Sequence, residues 1–418
     1  MPSNPSNRIT RFSRIAFMIA ALALPLSAVF AADAEKKPET ARDEVAKPVN
    51  AVNELMKNKK YAEAFTKLEE AEKAKDRTDY ENYVIERTRA AVASAAGDTE
   101  VLIKSLEILL KGNRLEKAEQ PVFMKNLIAS YYNKKNFAKV TEWIERFNKD
   151  GNKDDQMHTL LVQAYFLNGD FASAMRELQA DIAAVEAAGK VPEQDQITLL
   201  RNCAAKLKDK VVYDKVLEKM ATYYPTPDHW DEFLARFEGS RVVHERLYLD
   251  LYRLRLLTVK SLTEVDAKEM AELSLLATLP GEAKKIIDLS FENGTFGKGP
   301  NANDHKKLRD KVNKSTADDL KNIAQGEITA GKSKEGNALV NVGMAYISHG
   351  QFDKGISLIE QGIKVGKLKH PEDAKLRLAE GQIMAGKKAE ALATLKTIQG
   401  GDGLPELARI FAIVANQK

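Results

Sequence analysis

The sequence predicts an all-α protein built from repeated antiparallel helix pairs. Three observations carry this. Hydrophobic residues are 44% of the chain, charged residues 30% and aromatics 7%, a balance that supplies a core from Ala- and Leu-rich segments favouring helix. From Val49 onward, apolar residues recur at helical spacing, while strand-like alternation never persists and no Asn-Gly turn joins β-branched runs. The pattern Phe137, Val140, Ile144 also returns as Phe171, Ala174, Leu178, a step of 171 − 137 = 34 residues.

Composition removes several function classes. Lys and Arg number 64 against 60 Asp and Glu, so the net charge of +4 is too small to mark a nucleic-acid binder. A single cysteine, Cys203, excludes an intrachain disulfide and a Cys-based zinc site. With 418 residues, there is room for several domains or one long repeat array.

The elements follow in order. Residues 1–31 read as a cleavable signal peptide: Arg8, Arg11 and Arg14 precede the apolar run Ile15 to Phe30, and Val29-Phe30-Ala31 suits cleavage after Ala31. The run is too short, and broken by Pro25, for the roughly 20 apolar residues of a membrane anchor. No twin-Arg pair is present and no Cys follows the run, so unfolded export without lipidation is expected. Cleavage removes three Arg and leaves 4 − 3 = +1. Residues 32–47, charged and aperiodic, are expected to be a flexible linker.

Residues 48–224 form the first array. Tyr61, Ala64, Leu68 and Ala71 mark an early second helix, and Gly97-Asp98 with Leu102, Leu106 and Leu109 marks another. Leu127, Ile128 and Tyr131 correspond to Leu161, Val162 and Tyr165 on first helices, and Tyr213, Val216, Met220 and Tyr223 close the array. Residues 225–334 are less regular. Trp230, Phe233 and Leu234 open a helix after Pro225 and Pro227, Leu247 to Leu257 and Ala267 to Leu279 read as buried helices, and 294–303 is the expected long loop. Residues 335–418 return to the frame with Gly343, Tyr346, Gly350, Phe352, Gly355, Ile359 and Gly362, then Gly386, Ala391, Leu395 and Ile398, and end on an amphipathic capping helix, Leu404 to Val414. Small residues such as Ala174, Gly343, Gly355 and Gly362 belong where two helix axes approach, and large ones such as Tyr165 and Leu178 fill the space between helices.

The 34-residue step and these positions resemble the tetratricopeptide repeats, of the type found in exported proteins of Gram-negative envelopes. The resemblance implies a right-handed α-solenoid whose first helices line a concave face. Carried onto this chain, the inward positions are Lys125, Tyr132, Gln163, Phe166, Arg201 and Lys208, a cationic and aromatic mixture suited to an extended peptide or an acidic tail. Ala129 stands where the carboxylate-clamp subtype carries Asn, which argues against capture of a terminal carboxylate.

Enzyme-like patterns are few. Gly326-Glu-Ile-Thr-Ala-Gly331-Lys332-Ser333 satisfies a phosphate-loop spacing, but such a loop must follow a buried strand, and Leu320 to Gln325 read as helix; a turn between repeat helices is the competing reading. Gly294 to Gly299 reads as a connector. His158, His229, His244, His305, His349 and His370 form no ligand pair at helical spacing, and no nucleophile elbow occurs. Cys203 occupies a packing position, and Trp143 and Trp230 read as core.

The expected function is a non-catalytic periplasmic scaffold that needs no cofactor or metal. It binds a protein or peptide of the cell envelope, without nucleic acid and without a membrane span once the signal is removed. The alternative is an accessory subunit of an envelope energy-transducing complex of TonB type or of an envelope-assembly complex. A remoter one is a nucleotide-binding enzyme using Gly326–Ser333.

Overall fold

The computed structural model describes residues 39–240 and 242–417, so the expected signal segment 1–31 lies outside the described residues. Those residues form twenty α-helices and no strand. The chain divides into two units at Asp181 and Ile182.

The first unit is a series of antiparallel pairs: α1 (Asp43–Lys57) with α2 (Tyr61–Glu72), α3 (Asp79–Ala96) with α4 (Thr99–Lys111), α5 (Gln120–Asn133) with α6 (Phe137–Lys149), and α7 (Asp155–Leu167) with α8 (Phe171–Ala187), inside which the unit ends. Each helix packs on the one before and the one after through α7. His158 near the start of α7 bonds Asp181 well along α8, which sets these two antiparallel. Residues 43–47, expected in the linker, instead make the first turns of α1. Val45, 0% exposed, with Val49 and Val52 fills a core with Ala64, Leu68 and Ile85, and burial of that size, worth about 1.5–3 kcal/mol for a Val or Leu, extends the helix N-terminally past the aperiodic charges. Arg42 completes the anchor by donating to the buried Glu81 (2.8–3.0 Å).

The second unit contains α9 (Gln194–Leu207), α10 (Lys210–Tyr223), α11 (Pro227–Gly239), a 3₁₀ turn (Glu245–Leu247), α12 (Tyr248–Thr258), α13 (Glu264–Leu276), α14 (Pro280–Glu292), α15 (Ala302–Gly331), α16 (Asn337–Ser348), α17 (Phe352–Val365), α18 (Pro371–Met384), α19 (Lys388–Leu395) and α20 (Leu404–Gln417). The expected loop 294–303 stops earlier, because Ala302 and Asn303 already belong to α15.

One turn recurs through both units. The residue between paired helices is left-handed at Lys59, Gly97, Lys135, Gly169, Lys208, Thr278, Gly350 and Gly386 (φ between 56° and 83°). In each case the next residue's N–H donates five residues back, as Asp98 to Ala93 O, Asn136 to Tyr131 O, Asp170 to Tyr165 O and Gln351 to Tyr346 O, all 2.9 Å. This closes the first helix. The same next residue opens the second: Asp98, Asn136 and Asp209 accept from the N–H three residues on. A second device ties each pair to its predecessor. Four residues before the turn, Tyr131, Tyr165 and Tyr346 donate their hydroxyls to Glu107, Glu145 and Glu327 at 2.6 Å. The helix-pair frame is therefore a repeated hydrogen-bonding unit as well as a hydrophobic pattern.

The glycines of α16 and α17 sit where the frame requires. A Cβ on Gly343 would lie 2.7 Å from Gly355 O, and one on Gly362 2.7 Å from Gly336 O, so these two backbones touch.

The final helix does more than cap an open end. In the second unit, Leu217, Trp230, Leu234, Leu247 and Leu254 share one core with Leu376, Ala379, Phe411 and Val414. Gln417 donates to Ala221 O and Thr222 O (2.8 and 3.0 Å), Arg409 pairs with Glu218, and Arg246 pairs with Asp373 and Asp402 (3.0 and 3.2 Å). The second unit closes on itself through these contacts. The apolar stripe of α20 lies against α18, α19 and α12, and the core it enters is shared with residues of α10 and α11.

Candidate interaction surface

The sequence-derived candidates fall in both units, and each is considered within its own. On α5, Phe123, Leu127 and Ile128 face the core, which leaves Val122, Lys125 and Tyr132 on the opposite side. Val122 is 50% exposed, as Leu167 on α7 is at 46%. Tyr132 meets Phe137 edge-on at 5.6 Å, and Phe166 meets Phe171 the same way at 5.3 Å. Both partners are 34 residues apart, so this half-buried aromatic pair is itself part of the repeat; edge-to-face packing adds about 0.5–1.5 kcal/mol to each turn. Gln163 is buried, in the frame of Ala129.

Lys125 is not a free cation. It forms an ion pair with Asp154 and lies 5.7 Å over the Phe147 ring. Asp154 is the N-cap of α7, accepting from Gln156 and Met157 (2.9 and 3.0 Å). The bond from Lys125 holds its carboxyl below the usual carboxylate range, against burial. One repeat earlier, Arg87 on α3 makes the equivalent link: it pairs with Glu119, the residue before α5, at 2.7 Å, and its guanidinium lies 5.6 Å from the Phe123 ring. The inner cations thus form a ladder, each neutralised by an acid at the mouth of the next first helix. An acidic ligand must therefore exchange with Glu119 or Asp154 to reach them, whereas the aromatic and apolar positions Val122, Tyr132, Phe166 and Leu167 stay available. Arg87 and Glu119 escaped the sequence reading because the 34-residue step does not extend back to α3: the left-handed turns at Gly97 and Lys135 lie 135 − 97 = 38 residues apart.

Arg201 and Lys208 belong to the second unit. Arg201 donates to Glu232 at 3.2 Å, where Tyr213 also donates at 2.9 Å. Lys208 is exposed at the left-handed turn between α9 and α10. Both act as parts of the helix-pair scaffold, and Lys208 alone keeps its charge toward solvent.

The phosphate-loop pattern does not make a loop. Gly326 to Gly331 are the last turns of α15, so their N–H groups are spent within the helix and cannot cradle phosphate. Only Lys332 and Ser333 reach the following turn, where Ser333 Oγ bonds Glu335. Nor do the histidines assemble a ligand set: among the described residues no group of three His, Cys, Asp or Glu is placed to hold a metal ion. His305 is 2% exposed on α15. It stacks on Phe296 at 4.1 Å, accepts from Gly297 N–H at Nδ1 (3.3 Å) and faces Glu264 with Nε2 (3.2 Å). The adjoining cleft of about 440 Å³ is lined mainly by Glu264, Lys268, Glu269, Glu272 and Asp304. His349 bonds Asp319 at 2.7 Å. Cys203 is fully buried, and burial pushes its thiol up to about 11, so the reactive thiolate is suppressed. Trp143 and Trp230 are core, as their spacing implies. No described helix is long and apolar enough to cross a membrane.

No family model and no curated protein matches the chain. Solved structures do. The TPR2AB domain of yeast Sti1, in complex with pHSP90, is 14% identical, covers 71% of this chain and 99% of its own, and has a TM-score of 0.23. Naa15/Naa10 bound to HypK-THB is 13% identical over 86% of this chain and 64% of its own, with a TM-score of 0.31. Yeast Tom70 is 10% identical over 89% and 96%, with a TM-score of 0.25. The repeat assignment rests on the turns and the tyrosine hydrogen bonds described above.

Proposed function

We propose that this chain of tetratricopeptide-type helix pairs is a non-catalytic scaffold of the cell envelope, binding a protein or peptide partner through the first-helix face of its first unit. The observation that carries this reading is the repeated half-buried aromatic, Tyr132 and Phe166, flanked on adjacent first helices by the exposed Val122 and Leu167. Aromatic side chains with one face covered are rigid already, so a partner that docks on them loses little further conformational freedom. The closed second unit covers its own apolar stripe with α20, which favours the first unit as the docking face.

The test is affinity capture from an envelope extract with the tagged chain and with the double variant Tyr132→Ala, Phe166→Ala. One partner retained by the parent and lost by the variant supports the reading. An identical captured set from both refutes the assignment of this face. Export is read from the Arg8 to Ala31 segment. N-terminal sequencing of the protein from the periplasmic fraction is expected to begin at Ala32, and recovery of the uncut chain in membranes would contradict export with cleavage.

A further inference from the structure

The contact of α12 with α18 buries more acids than bases. Arg253, 3% exposed, donates from Nη1 to Asp250 (2.7 Å) and to Glu380 Oε2 (3.0 Å). Its Nε and Nη2 donate to the two oxygens of Glu282 on α14 (2.8 Å each). Asp250 is 2% exposed and Glu380 is 0% exposed. The other charged groups near these carboxyls are Arg377 and Asp373 on α18, and Asp373 is held by Arg246 at 3.0 Å. With every group ionised, Arg253 and Arg377 would face Asp250, Glu282 and Glu380, one acid too many, and of the three only Glu282 reaches solvent, with 14% of its side chain exposed. A buried charge without a partner costs several kcal/mol, so the arrangement calls for one acid to be neutral. Glu380 is the acid the geometry selects: its Oε1 is buried with no hydrogen-bond partner, which is the oxygen a proton would occupy without breaking any existing bond.

We propose that this contact is a proton-holding clasp: Glu380 carries a proton in the folded protein at neutral pH, and opening the contact releases it, so that closure of the second unit weakens as pH rises. Burial first, and Asp250 second, push the Glu380 carboxyl well above the usual carboxylate range, while Arg253 opposes. Burial also raises Asp250, against Arg253 and Arg377. The sign follows. An acid whose folded value is raised contributes its full stabilisation below its ordinary range, near pH 4.3, and loses it as pH climbs toward the folded value.

Hydrogen exchange of the intact chain between pH 5 and pH 8, corrected for intrinsic exchange, tests this. Release of one proton on opening makes the opening equilibrium at α12 and α18 rise up to tenfold per pH unit. Glu380→Gln, which keeps the shape of the protonated acid, is expected to remove that dependence, and Asp250→Asn, which takes away the excess acid beside Glu380, to reduce it. A Glu380→Gln chain with the parental slope, or an Asp250→Asn chain with a steeper one, overturns the proposal. Should Glu380→Gln fail to fold, the parent labelled at its glutamate carboxyls still decides: a protonated carboxyl stretch in the infrared at pH 7 supports the clasp, and its absence overturns it.

Discussion

Replacing Gly343 by Ala is expected to destabilise the second unit, although Gly→Ala inside a helix ordinarily helps. The added Cβ would lie 2.6 Å from Ile359 Cγ1, 2.7 Å from Gly355 O and 3.1 Å from Ile359 N. Ordinary contact begins at 3.4 Å, so the carbonyl is 3.4 − 2.7 = 0.7 Å too close, and it is backbone that cannot rotate away. Overpacking of this kind costs about 1–3 kcal/mol, against a gain of ~1 kcal/mol from helix propensity. The net loss is therefore up to about 2 kcal/mol, or up to roughly 8 °C in transition temperature at 2–4 °C per kcal/mol for a unit of this size. Gly326→Ala in α15 is the matched control. Its Cβ meets only Val342 Cγ2, at 3.9 Å, so propensity acts alone and the variant should gain about 0.5–1 kcal/mol. Differential scanning calorimetry on both variants gives the answer as a pair of opposite shifts. A Gly343→Ala chain stabilised like the Gly326→Ala control would refute the claim that α16 and α17 pack backbone to backbone.

Three further outcomes are expected. Glu81 is held at about 2, chiefly by its bond from Arg42 and against burial; its lowered value means the link stabilises the first unit above the ordinary range near 4.5 and is lost as pH falls from there toward about 2. Acid unfolding followed by circular dichroism should show this loss, and Arg42→Ala should flatten it. Tyr165→Phe removes the 2.6 Å bond to Glu145 and should cost about 0.5–1.5 kcal/mol in urea unfolding, with Tyr131→Phe behaving alike. Lys332→Ala should leave thermal stability and any response to ATP unchanged in a thermal-shift assay, since the residues before it are helical.

Much of the fold is legible because the repeat is carried by local chemistry. The 34-residue step from Phe137 to Phe171, the glycines of α16 and α17 and the small residues at Ala174 and Ala391 all pack as their spacing implies. What the pattern conceals is long-range. α12 reads as a buried helix from its leucines, and it carries Asp250 and Arg253 among them; what the pattern does not say is that these charges are buried against Glu380, 127 residues away from Arg253. The only local signal is that leucines flank them on every side of the helix, which leaves no face for water. Closure by α20 is hidden for the same reason: an apolar stripe announces that it will be covered, not by what. At the candidate surface, the aromatic pairs at Tyr132 and Phe166 follow the repeat, whereas the neutralisation of Lys125 by Asp154 depends on how α5 and α7 pack, and residue type alone presents that lysine as a free cation.

The first helices of the first unit are proposed above as the surface a partner contacts. A photo-reactive phenylalanine analogue placed singly at position 132 or 166, and at exposed position 142 on α6, measures this in the envelope itself. The account predicts one adduct of the same mass from 132 and 166 and none from 142. Adducts of equal yield at all three positions, or none at 132 and 166, would contradict it.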